Sequence, residues 1–348
     1  MVSTTAGIKN ALPYLNEEDV DSLAVDNAVR NYRTAWKNQK ERHTGAPTFK
    51  KKSYEQSYQT NAHYYKNSLG HEVSNVRFED TSHVILPKLG RVRIGGSPKL
   101  IRSLINRDAD TRIGTITISR DSAGEYWASF QIASEKPFRN ELKKTGSKVG
   151  IDLNLLELTN DSNGDSAANM RYYKNSADKL TKAQHKLSRM QEHAKKDGRP
   201  LRASRNYQKQ RLKVAKIHRT VSRQREDYLH NLSKQKVESQ DFIAAEDLKV
   251  RNLLKNHCLA GAITDAGWRK FLTMLQYKAE LYGKTVILVP PRNTTQTCSV
   301  CGYTLKEDEK LTLSDREWIC PSCGTHHNRD TNAAKNILER GLQIASQS

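Results

Sequence analysis

Between residues 17 and 40, Val20, Leu23, Val25, Val29, Tyr32 and Trp36 recur at steps of about three to four. That spacing predicts an amphipathic helix, whose acidic first turn Asn16 can cap. A polar, basic loop follows, from Lys37 to Tyr58, with Lys50-Lys51-Lys52 and interleaved Tyr54 and Tyr58. Between 83 and 135 the period shortens towards two. HVILPKLGRVRIGG, RIGTITISRD and EYWASFQIA alternate apolar with polar positions, and Asp121-Ser122-Ala123-Gly124 has turn chemistry. A small antiparallel sheet or barrel is expected there.

At Lys148 the pattern changes. Val149-Gly150-Ile151-Asp152-Leu153 is a short apolar strand carrying one carboxylate, followed by a second alternating stretch and a turn near Asn163-Gly164-Asp165. Two apolar stripes then appear, Leu180, Leu187, Met190 and Ala194 in the first and Val214, Ile217, Val221, Tyr228 and Leu232 in the second. Gly198-Arg199-Pro200 separates them, so residues 171–234 are expected to form a helical hairpin with a thin apolar seam. Phe242-Ile243-Ala244-Ala245-Glu246 is another strand that ends in a carboxylate. A helix over 268–281 should bury Phe271, Leu272, Leu275, Ala279 and Tyr282, and a strand over 284–289 is stopped by Pro290-Pro291. After a cysteine-containing module, TNAAKNILER forms a last helix with Ala334, Ile337 and Leu338 inward. Strands alternating with helices predict an α/β domain into which the cysteine module is inserted.

Charge sharpens this outline. The chain of 348 residues carries 58 Lys and Arg against 38 Asp and Glu, a net +20. Residues 171–234 hold 19 of the basic and 5 of the acidic residues, so +14 of the excess lies on the hairpin. Counterion release drives such surfaces onto phosphate backbones, and a polyanionic partner is expected. No apolar run approaches the ~18–20 residues of a membrane helix. MVSTTAGIKNALPYLNEEDV lacks the basic-then-apolar order of a secretory signal, so an intracellular protein is expected. Length alone suggests roughly two domains.

Cys298-x2-Cys301 and Cys320-x2-Cys323, with 18 residues between the inner cysteines, have the spacing of a four-thiolate zinc site. Gly302 and Gly324 follow each pair, as tight knuckles require. With four thiolates the zinc would be structural; Cys258 is then a lone thiol, and His326 and His327 are not needed as ligands. Asp152, Glu246 and Asp330 each stand at the edge of an apolar element, where a carboxylate is costly unless compensated. Asp330 could simply cap the last helix, and Glu246 or Asp247 could pair with a surface lysine. Together the three could converge on divalent cations, the arrangement that activates water against a phosphodiester.

GIDL around Asp152, IAAEDL around Glu246, and CSVCG…LSDREWICPSCGTHHNRDTNAAKNIL at the end resemble the TnpB family, transposon-encoded RNA-guided DNA nucleases related to compact type V CRISPR effectors. DAGWRKFLTMLQYKAELYGK looks like that family's linking helix, and the resemblance spans about 45–340. It implies an α/β fold: an RNase-H-like RuvC domain with an N-terminal β-barrel and helical nucleic-acid-binding lobe and an inserted zinc ribbon. The implied divisions are 1–145 for the lobe, 146–292 for the first part of the nuclease domain, 293–327 for the ribbon and 328–348 for the final motif and helix. Asp152, Glu246 and Asp330 match the family's catalytic carboxylates, which would hold two Mg²⁺, beside one structural Zn²⁺ on the cysteines. Lys51, Lys52, Gln56 and Tyr58 fall in the stretch resembling its DNA-contacting region. The implied partners are a guide RNA and double-stranded DNA, in the cytoplasm of a prokaryote at the nucleoid. Three departures stand out. The family's usual extra strand and helical stretch before the equivalent of Leu12-Pro13 are expected to be lacking, Asn328 replaces a common Asp, and Asn154 a common Gly. Two other functions remain open from sequence: a catalytically silent, DNA-binding regulator, and a transposase that joins strands with the same carboxylates.

Overall fold

The computed structural model describes residues 5–48, 56–106, 111–312 and 314–347. The chain divides after Pro137 into two compact units. The first begins with α1 (Thr5–Ala11), a 3-10 turn over Pro13–Asn16, and α2 (Ser22–Arg42). The amphipathic helix therefore starts later than its periodicity suggested, and Asp21 caps it in place of Asn16. The Asp21 carboxylate accepts from Leu23 N at 3.0 Å, whereas Pro13 starts a separate turn that Asn16 closes. Val29 is buried, but Tyr32 and Trp36 stay exposed and meet edge to face.

Strands β1 (Gln56–Asn61), β2 (Tyr64–Lys66), β3 (Glu72–Ser74), β4 (Arg77–Phe78), β5 (His83–Leu86) and β6 (Gly90–Arg93) come next. After α3 (Pro98–Ile105) follow β7 (Arg112–Arg120) and β8 (Tyr126–Ala133). They pair as three small sheets, β1–β7–β8, β2–β3 and β4–β5–β6. Period-two alternation sends Val84, Leu86 and Ile116 into one core with Val76, backed by Phe78, Ile118 and Phe130. The β7–β8 turn is the one expected, with Asp121 O accepting from Gly124 N and its carboxylate from Glu125 N. Asn27 and Asn31 of α2 donate to Gln59 of β1, fastening helix to sheet.

In the second unit, β9 (Lys148–Asp152), β10 (Glu157–Asp161), β11 (Ser166–Ala168), β12 (Phe242–Glu246) and β13 (Thr285–Val289) form one sheet ordered β11–β10–β9–β12–β13. β9, β12 and β13 are parallel, and β10 and β11 extend the sheet antiparallel. Helices α4 (Tyr172–Lys196) and α5 (Arg205–Ser239) form the predicted hairpin, with Leu180, Ala183, Val214 and Ile217 in its seam. Asp265 of α7 (His257–Ala266) caps α4 from outside, accepting from Tyr173 N at 2.9 Å while Arg225 pairs with it at 3.0 Å. Beyond the short α6 (Val250–Leu253) and α7, helix α8 (Trp268–Tyr282) packs Phe271, Leu272 and Leu275 with Leu229 of α5 on one face of the sheet. The last helix, α9 (Arg329–Gln347), covers the opposite face through Ile337 and Leu338.

A sheet buried on both sides sorts its residues by parity. Val149 and Ile151 of β9, with Ile243 and Ala245 of β12, face α8. Phe242 and Ala244 face α9, and the same alternation puts Gly150, Asp152 and Glu246 on that side. Close approach of α9 requires small residues beneath it. A Cβ on Gly150 would stand 1.9 Å from Ala334 O, and one on Gly341 would stand 2.5 Å from Ala244 Cβ. The glycine two residues before Asp152 is thus what lets α9 lie on β9. Among the described residues, no helix is long and apolar enough to cross a membrane.

Candidate functional site

Asp152 ends β9 and Glu246 ends β12. The two strands are in register up to Ile151 beside Ala245, so these carboxylates occupy neighbouring positions at the carboxyl ends of adjacent parallel strands. Strand spacing puts such positions about 5 Å apart. Asp330, in the first turn of α9, supplies the third carboxylate. Asp152 and Glu246 are each 6% exposed. Burial, then the nearby Glu246 and Asp330 charges, push the Asp152 carboxyl up to about 7. Burial also raises Glu246, against a hydrogen bond from Thr294 Oγ1 and the charge of Arg340. Asp152 thus lies near enough to Glu246 and Asp330 for both charges to act on it.

Capping does not account for Asp330. Asn328 does that work, its Oδ1 accepting from Asp330 N at 3.2 Å and Thr331 N at 3.1 Å. The Asp330 side chain is instead held by cations and an amide. Oδ1 accepts from Arg329 Nε and Nη2 at 3.2 and 3.1 Å, and Oδ2 from Arg316 Nη1 at 3.1 Å and Asn154 Nδ2 at 3.3 Å. Asn154, which sequence marked only as a departure, also accepts from Leu156 N and Glu157 N, tying the end of β9 to Asp330. Thr294, Arg316 and Arg329 were not singled out by sequence; none belongs to a periodic pattern, and only the fold shows what they touch. Two guanidinium groups, of Arg316 and Arg329, thus stand on the Asp330 side of the cluster.

The cysteine module lies between β13 and α9. Among the described residues, the four cysteine sulfurs are the one group of three or more His, Cys, Asp or Glu ligand atoms lying within 4.8 Å of one another. Cys298 and Cys323 Sγ are 3.7 Å apart, as are those of Cys301 and Cys320. Four Zn–S bonds of ~2.3 Å in a tetrahedron give edges of roughly 3.8 Å, so the sulfurs fit a zinc ion. Gly302 and Gly324 have φ of +74° and +71°, and their N–H groups donate to Cys298 O and Cys320 O, closing the two knuckles as expected. Strands β14 (Glu317–Ile319) and β15 (His326–Asn328) form the ribbon. His327 is not needed as a ligand: its ring lies on Trp318, with Nε2 3.1 Å from Cys298 Sγ. Asn332 and Asn336 of α9 donate to Thr297 O, and Asn336 to Thr294 O, so the helix that carries Asp330 also anchors the ribbon's base.

On the hairpin, Lys179, Lys209, Lys213 and Lys216 line a groove of about 430 Å³ with Leu212 and Ile217. No carboxylate is among its lining residues. In the first unit, Gln56 opens β1 and Tyr58 follows on the same side of the strand, 39% exposed and beside a groove of about 620 Å³ lined by Val25, Val29 and Tyr32. Lys51 and Lys52 lie outside the described residues.

Two family models match the chain: "Probable transposase" over residues 129–257 and "Cas12f1-like, TNB domain" over 268–337. A Streptomyces pristinaespiralis protein provisionally named an RNA-guided DNA endonuclease is 37% identical over 67% of this chain and 54% of its own length. The Escherichia coli K12 protein InsQ, with the same provisional name, is 29% identical over 99% of this chain and 80% of its own. A mimivirus protein named TnpB-like is 32% identical over 37% of this chain and 25% of its own. The chain thus spans about half the length of the Streptomyces relative. In solved structures, Cas12f1 from its complex with sgRNA and target DNA aligns with a TM-score of 0.54 over 91% of this chain and 70% of that one, at 14% identity. Over these spans the chain is thus similar to proteins named RNA-guided DNA endonucleases and TnpB-like, in keeping with the resemblance carried by the motifs around Asp152, Glu246 and the paired cysteines.

Proposed function

We propose that this protein is an RNA-guided DNA endonuclease whose Asp152, Glu246 and Asp330 form a RuvC-like hydrolytic site in an RNase-H-like domain. The observation that carries this reading is the meeting of three carboxylates, distant in sequence, at the ends of two parallel strands and one helix. The donor set suits hard divalent cations such as Mg²⁺. Three converging carboxylates, one of them pushed to about 7, form a site that gains from added positive charge. Two such ions, when bound, supply a Lewis acid and an activated water for phosphodiester hydrolysis. The chain's own residues do the rest. Thr294 holds Glu246 in place, Asn154 and Arg329 hold Asp330, and Asp152 gives up its proton as the site is loaded.

Names of the relatives supply the guide: sequence choice would come from RNA–DNA pairing, with the protein tracking the backbone. The lysine groove of the α4–α5 hairpin is the surface we assign to that backbone, because four cations stand there without a carboxylate. Gln56 and Tyr58, with Lys51 and Lys52 before them, would contact DNA from the first unit, whose β1–β7–β8 and β4–β5–β6 sheets share one core and which we read as an open barrel. Activity on DNA would place the protein at the nucleoid. The four-cysteine ribbon, divided from the nuclease halves at about 293 and 327, carries the structural zinc.

Replacing Glu246 with Gln keeps the shape and removes a ligand. Cleavage of a matched DNA target in Mg²⁺ should fall by a thousandfold or more, on the order of what loss of an essential electrostatic group costs, while RNA co-purification is unchanged. Undiminished cutting would move the active site elsewhere. The "Probable transposase" family model motivates a second reading, strand transfer by the same carboxylates. Joined rather than merely cut products would establish it, and absence of Mg²⁺-dependent cutting by the parent would leave the silent DNA-binding regulator.

A further inference from the structure

Arg316 reaches out of the cysteine ribbon to the carboxylate site. It stands immediately before β14, and its backbone O accepts from Arg329 N at 2.8 Å. Its Nη1 lies 3.1 Å from Asp330 Oδ2, the oxygen that Asn154 Nδ2 also reaches, while Arg329 occupies Oδ1. Both oxygens of the third carboxylate are engaged by N–H donors. The two arginines differ in how firmly they are held. Arg329 is 8% exposed, and Thr312 O accepts from its Nη1 at 2.9 Å. The Arg316 side chain is 44% exposed and has Asp330 as its one side-chain partner among the described residues. Arg316 is therefore the donor that can leave. A guanidinium on a carboxylate opposes a second cation at that carboxylate, both by charge and by occupying its lone pairs.

We propose that Arg316 is a counter-ion latch on Asp330: it is displaced when Asp330 takes up a divalent cation, so that cation loading of the carboxylate site depends on the placement of the cysteine ribbon. The latch rests on the reading of Asp152, Glu246 and Asp330 as a cation site, and adds a positioning residue that the ribbon contributes. It gives the ribbon a part in the chemistry, since β14 and β15 set where the guanidinium stands.

Mn²⁺ binding to the zinc-loaded protein, followed by the EPR signal of free Mn²⁺, tests this without any cleavage assay. Arg316→Gln should bind Mn²⁺ about fivefold more tightly than the parent, the scale of a half-exposed ion pair. Arg316→Lys, which keeps the charge but loses the planar fork, should fall between the two. Zinc content and the thermal midpoint of each variant confirm that the ribbon is intact. Glu246-dependent Mn²⁺ binding that both Arg316 variants leave unchanged or weaken overturns the latch alone. A parent whose Mn²⁺ binding does not change with Glu246→Gln overturns the site reading and the latch with it.

Discussion

Cys298, Cys301, Cys320 and Cys323 meet within a ribbon that its own hairpins close, whereas Asp152, Glu246 and Asp330 meet only because two strands and a helix pack onto one another. The first cluster is local. Two glycine knuckles and one two-stranded pairing suffice, and the sulfurs come within 4.8 Å of one another. The second depends on long-range packing: β9 beside β12, α9 across both, and glycines where the helix touches the sheet. Their electrostatics differ in the same way. The thiols show both directions of shift, Cys298 pushed up to about 12 by burial and Cys323 pulled down to about 6 by hydrogen bonds from Thr325. The carboxylates are held together by the fold, and burial raises both Asp152 and Glu246. Thiols gathered by local hairpins and carboxylates gathered by long-range packing are thus two solutions side by side in one unit.

Chelation separates them most sharply. Removing zinc from the protein should release one ion per chain and melt β14–β15, since comparable thiolate sites draw on the order of 10 kcal/mol of folding energy from the metal. The five-stranded sheet should retain its protection against amide hydrogen exchange. Loss of protection in β9 and β12 together with the ribbon would break the comparison, showing that the carboxylate site also leans on the zinc. The converse perturbation is Gly150→Ala. Its Cβ would stand 1.9 Å from Ala334 O, a backbone atom, so α9 must shift. We expect a loss of about 3 kcal/mol in urea unfolding, at the upper end of overpacking costs, with zinc still bound at one per chain. A variant as stable as the parent would mean that α9 is not seated on β9 through this glycine.

How far each cluster was legible in sequence follows from this difference. Four cysteines at ribbon spacing announce their chemistry, because ligand type and local spacing suffice. The strands of the second unit, the hairpin and α8 were likewise legible, since both faces of the sheet are buried and the helices keep an apolar stripe. The carboxylates could be marked residue by residue, but their convergence depended on which strands are neighbours, and single-chain periodicity does not encode that. Asn154, Thr294, Arg316 and Arg329 were invisible as partners, being polar residues in loops or at a helix start whose role exists only through packing. In the first unit, the start of α2 was misplaced because apolar periodicity continues through Val20, while the cap at Asp21 decides where the helix begins. The alternating strands were legible, but not their division into three sheets.

The subtlest test uses pH, and it follows from the pressure that the fold puts on Asp152. Its carboxyl is held at about 7, chiefly by burial and then by Glu246 and Asp330, against the ordinary carboxyl value of 3.8. Between those values the folded protein keeps a proton that the unfolded chain has released. Stability is therefore full below about pH 4 and falls as pH rises through 7, by up to about 4 kcal/mol from this group. Asn at this position is neutral at every pH and similar in size. With a chelator of Mg²⁺ and Mn²⁺ present and zinc retained, Asp152→Asn should equal the parent at pH 4 and exceed it by about 2–4 kcal/mol at pH 8 in urea unfolding. Adding Mg²⁺ should narrow the gap at pH 8, since a divalent cation compensates the ionised carboxylate in the parent and not the amide. Parallel curves for parent and variant would show that neither burial nor the neighbouring charges hold the Asp152 proton, and the contrast between a locally closed thiol cluster and a fold-built acidic site would lose its second half.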